Sequence, residues 1–108
     1  MKRLLLVLSF LSIVGCGRLV AEHVVTGTPS SPSNGPVRIV METDTPPAEF
    51  REIAIVRARG EGNRANLESV LEALQEEARL IGGNAVVRVR IDQGHGSISA
   101  IGTAGQVP

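Results

Sequence analysis

Cys16 is the only thiol in this chain of 108 residues, His23 and His95 are its only imidazoles, and Lys2 is its only lysine. The chemistry open to such a chain is narrow. A nucleophilic enzyme sets a base beside its thiol or hydroxyl, with a third group to orient that base. No Ser/His/Asp or Cys/His set of that kind stands out here. His95 lies between Gly94 and Gly96 in a stretch of turn residues, where it reads as a loop residue with a tolerated left-handed backbone. A metal site needs three or four converging donors, and the sequence shows no Cys, His or Asp cluster. Glu68, Glu72, Glu76 and Glu77 look like the solvated side of a helix rather than an acid/base pair. Neither enzymatic activity nor a cofactor is expected. Gly60-Glu61-Gly62-Asn63-Arg64-Ala65 fits G-x-G-x-x-A between a strand and a helix, with Asp92 further on, as in dinucleotide-binding loops. Strands of such doubly wound sheets are continuous apolar runs, whereas these strands alternate, so the stretch reads as a flexible connection.

Two sets of residues remain. Arg57 and Arg59 share one side of a predicted strand, and Arg88 and Arg90 share one side of another. Guanidinium groups suit bidentate contact with phosphate or carboxylate, so the four form a candidate surface for an anionic envelope component or an acidic partner protein. The plainer reading is that a solvated sheet face needs polar residues in any case. The other candidate is Cys16 itself. It ends an apolar run from Leu4 to Val14 that contains only two serines, behind Lys2 and Arg3 and directly after Gly15. That is the layout of a cleavable leader, and the run is too short for a membrane span of about 20 residues. Ile13-Val14-Gly15-Cys16 resembles the bacterial lipobox, which implies removal of residues 1–15 and acylation of Cys16 by three chains, palmitate among them. A single chain anchors only marginally; three anchor permanently. Gly17, where an aspartate would mark inner-membrane retention, implies an outer-membrane lipoprotein facing the periplasm.

Without residues 1–15, nine arginines face eleven acidic residues, which is no nucleic-acid signature. Phe50 is then the only aromatic, so the core must be aliphatic. A core of about 70 residues with no disulfide or metal is only marginally stable alone, which leaves room for a partner or weak self-association.

Residues 16–36 read as the lipidated cysteine and a flexible tether rich in Pro, Ser and Gly. Leu19-Val20 and Val24-Val25 are its apolar exceptions. Residues 37–108 carry periodic patterns. Val37, Ile39 and Met41 alternate with Arg38, Val40 and Glu42, and Ala54, Val56 and Ala58 share one side of a second strand over about 52–59, which leaves Ile53, Ile55, Arg57 and Arg59 on the other. Leu67, Leu71, Leu74, Ala78 and Ile81, with Val70, predict a helix over about 66–81, capped by Asn66 and stopped by Gly82-Gly83. Strands at 85–91 and 97–104 follow around a hairpin loop. The expected fold is an α+β domain of order β-β-α-β-β, with one helix on one face of a four-stranded sheet.

The junction Ala78-Arg79-Leu80-Ile81-Gly82-Gly83-Asn84-Ala85-Val86-Val87, with Pro46-Pro47-Ala48-Glu49-Phe50 before it and Gly102-Thr103-Ala104 after it, is similar to two related groups. These are the Rcs-type outer-membrane stress-sensor lipoproteins and the YbjQ-like family described as heavy-metal-binding. The first group implies a lipid anchor, a proline-rich tether able to thread outer-membrane barrels, and a domain that signals envelope damage to a partner. The second implies a periplasmic module for a small ligand or metal. This chain departs from both, since it has no cysteine in the domain and nothing that matches a ligand set.

Overall fold

A computed structural model describes residues 17–108; the leader and Cys16 lie outside the described residues. The chain forms β1 (Arg18–Val25), β2 (Arg38–Met41), β3 (Arg51–Glu61), a 3-10 turn (Gly62–Arg64), α1 (Leu67–Leu80), β4 (Ala85–Gly94) and β5 (Ser97–Gln106). One helix lies on one five-stranded sheet of order β1-β3-β5-β4-β2. Neighbours pair antiparallel except β2 with β4, which run parallel.

α1 forms where the apolar stripe predicts it. The Asn66 side chain accepts the Ser69 backbone N–H at 2.8 Å, a cap that satisfies one otherwise orphaned donor. At the other end Gly82 takes φ +81°, the Gly83 N–H reaches the Ala78 carbonyl at 2.8 Å, and the Gly82 N–H reaches that of Arg79 at 3.1 Å. This pair of bonds closes the helix, and its left-handed position suits glycine. Val70, Leu74 and Ala78 are buried against the sheet, while Leu67 and Leu80 at the two ends are exposed.

The helix meets small side chains. Ala54, Val56, Ala58, Ala100, Ala104, Val86 and Val89 form the sheet side of the core. Gly102 leaves room for the side chains of the neighbouring strand: a Cβ there would lie 2.7 Å from Val86 Cγ1 and 2.9 Å from Val89 Cγ2. The core on this side of the sheet contains no aromatic.

Four expectations are corrected. Residues 18–25 belong to no tether. They form the edge strand β1, with Leu19 and Ala21 packed on the core, so the sheet has five strands and the order is β-β-β-α-β-β. Residues 26–36 lack regular structure but are bound to the domain: the Thr26 and Gly27 N–H groups both reach the Ile53 carbonyl at 2.8 Å, and that of Ser30 reaches Ile81 at 3.0 Å. This strap passes the end of α1, where Arg79 Nε donates to Gly35 O at 2.8 Å and Gln75 Nε2 to Val37 O at 2.9 Å. Ile53 is fully buried rather than outward, because β3 breaks register between Glu52 and Ala54. His95 does not take the left-handed conformation; Gly96 does, at φ +70°.

Candidate functional site

The sheet face away from α1 is where the arginines were expected to gather. Pairing register orders it in rows across β1, β3, β5 and β4. One row is Val24, Ile55, Thr103 and Val87; the next is Glu22, Arg57, Ile101 and Arg90; the third is Val20, Arg59, Ser99 and Asp92. At the Arg51 end this face is partly covered, since Phe50 lies against Gly105, where an added Cβ would stand 2.6 Å from the ring. Toward the Arg18 end it is open. Val20, Val24 and Ile55 are among its exposed apolar residues.

Arg57, Arg59 and Arg90 stand together on the open face, as alternation requires. Arg88 lies beside them, at a break in β4. It takes φ +54° in an irregularity where β4 slips against β5 between Val87 and Arg90. The extra residue of such a bulge interrupts the ladder, and Arg88 meets Glu52, which pairs with Gly105 on the same face, at 3.6 Å.

Each of the four arginines already has a carboxylate. Arg57 pairs with Glu22 across the β1–β3 seam. Arg59 Nε lies 3.0 Å from Glu61, and Arg90 Nε lies 3.9 Å from Asp92. All these side chains are about half exposed or more, so each pair contributes only ~0–1 kcal/mol to stability. The face is an array of alternating charges interrupted by valine and isoleucine, not a cationic patch. Sequence reasoning found the arginines and missed their acids. Arg59-x-Glu61 and Arg90-x-Asp92 could have been found from period two alone, because residues two apart share a face. Glu22 and Glu52 needed the strand register.

His23 falls within the residues expected to form the tether. On β1 it faces the helix side, and His23 Nδ1 lies 2.8 Å from Glu77 Oε2, fastening the edge strand to α1. A hollow of about 780 Å³ lies between α1 and the strap, with Pro32, Ile39, Leu71 and Leu80 in its walls. Among the described residues no group of three or more His, Cys, Asp or Glu could hold a metal ion, and no helix is long and apolar enough to cross a membrane. Among known protein families, curated proteins and solved structures, none matches this chain.

Proposed function

We propose that this chain is a lipid-anchored periplasmic protein, held through Cys16 in the outer membrane, whose domain works by binding another envelope component as a stress sensor or assembly accessory. The observation that carries the reading is the position of Cys16 at the end of the apolar run, in the sequence Ile13-Val14-Gly15-Cys16. The open sheet face supports a protein partner over a simple polyanion. Its guanidinium groups are already matched by carboxylates, so a plain anion meets little net charge there. A protein surface with its own alternating charges can exchange partners with the array and cover Val20, Val24 and Ile55, and such complementarity gives specificity more than raw affinity.

Two measurements test this. Cys16→Ser should abolish incorporation of labelled palmitate and release the protein from membranes; equal labelling of the variant would refute the anchor. Cross-linking in intact envelopes should give one dominant adduct that is lost in the folded double variant Arg57→Glu, Arg90→Glu. The same adduct at full yield in that variant would remove the open face from recognition.

A further inference from the structure

Gly17 is fixed in place. A Cβ built on it would stand 1.7 Å from Asn63 Oδ1, 2.4 Å from Arg64 Cγ and 2.7 Å from the Arg64 backbone nitrogen, so its backbone is pressed into the 3-10 turn. Strand pairing begins at the very next residue, with Arg18 opposite Glu61. The turn is itself tied to the β4–β5 hairpin, because the Gly62 N–H donates to the Gly96 carbonyl at 3.0 Å. Arg18, Glu61, Ser97 and Gly94 lie level with one another across four strands. The end of the domain nearest Cys16 is therefore one cross-tied rim, not the start of a tether.

We propose that this rim rests on the lipid headgroups of the membrane that holds Cys16. The inference depends on the acylation of Cys16 set out above. Only Cys16 and Gly17 separate the acyl chains from Arg18, a reach of about 7 Å at full extension. The headgroup layer on each side of a bilayer is itself about 5–8 Å thick. A domain joined by so short a link cannot stand clear of the surface, and it is the Arg18 end that must face it. The charges there fit that neighbour. Arg18 and Arg64 are exposed and take part in none of the ion pairs among the described residues. Glu61 is engaged by Arg59. Glu68, in the first turn of α1, and Glu72, which lines a hollow with Arg64, take part in none of those ion pairs and partly offset the arginines. Both arginines can bind lipid phosphates through their planar forks. The proline-rich residues 26–36 lie beyond β1, bound to the body of the domain, and cannot lengthen the link.

The experiment uses the full acylated protein in vesicles of phosphatidylethanolamine and phosphatidylglycerol containing a nickel-chelating lipid. A nitroxide is placed at His95→Cys on the rim, or at Thr28→Cys in the strap at the opposite end. With the Cys16 sulfur in its thioether, each variant has one reactive thiol. Relaxation of the nitroxide by surface nickel should be several-fold stronger at residue 95 than at residue 28. Equal relaxation at both positions, or the reverse order, would overturn the rim contact while leaving the anchor intact. Protein that carries no lipid and does not sediment with the vesicles would overturn the anchor, a result read separately by labelled palmitate.

Discussion

The two faces of the sheet are built on opposite rules. Under α1, every position from Ala54 to Ala58 and from Ala100 to Ala104 that faces inward is alanine, valine or glycine, and these side chains are buried almost completely. On the open face, the same strands carry arginine, serine, isoleucine and threonine, each only partly covered. The first face depends on shape, because close packing makes even one methylene felt. The second depends on pairs of charges at high dielectric, where each pair counts for little. One sheet thus holds a side where sequence is tightly constrained by stability and a side that stability leaves free to vary.

The largest break in that comparison should come from Leu74→Ala, which empties the centre of the buried stripe; unfolding in urea should show a loss of ~2–5 kcal/mol. Gly102→Val tests the same face by addition. Two extra branches would press on Val86 and Val89, and the expected cost is ~1–3 kcal/mol. Asn66→Ala removes the cap without touching either face and should cost about 1 kcal/mol. Arg57→Ala, on the open face, should change the free energy of unfolding by less than ~1 kcal/mol. A cost for Arg57→Ala comparable with that of Leu74→Ala would mean the open face is structural after all, and the division of labour would fail.

Much of the covered face was legible in the sequence, since the helix announces itself by spacing, cap and glycine stop, and Ala54, Val56 and Ala58 by alternation. β1 was not. In Arg18–Val25 both alternating sets contain apolar residues, Leu19, Ala21 and Val25 on one side and Val20 and Val24 on the other, so no period stands out. The Pro/Ser/Gly stretch that follows drew the boundary at the wrong place. Ile53 was misassigned because a register break cannot be seen in a single strand. The candidate site was half legible: period two placed the arginines, but their neutralising carboxylates come partly from other strands, and pairing across strands is invisible until register is known.

The strap has a consequence for the order in which the molecule assembles. β1 and β2 are consecutive in sequence yet occupy the two extremes of the sheet. Neither can add until the strand it lies against exists, β3 for the first and β4 for the second, and both of those come later in the chain. We expect the centre, α1 with β3, β5 and β4, to form first, with the amino-terminal third closing around it from both sides. Hydrogen exchange should follow the same sequence in reverse, with the amides of β1 and β2 opening at lower free energy than those of β5. A chain that emerges amino-terminus first thus begins with the part of the domain that finishes folding last.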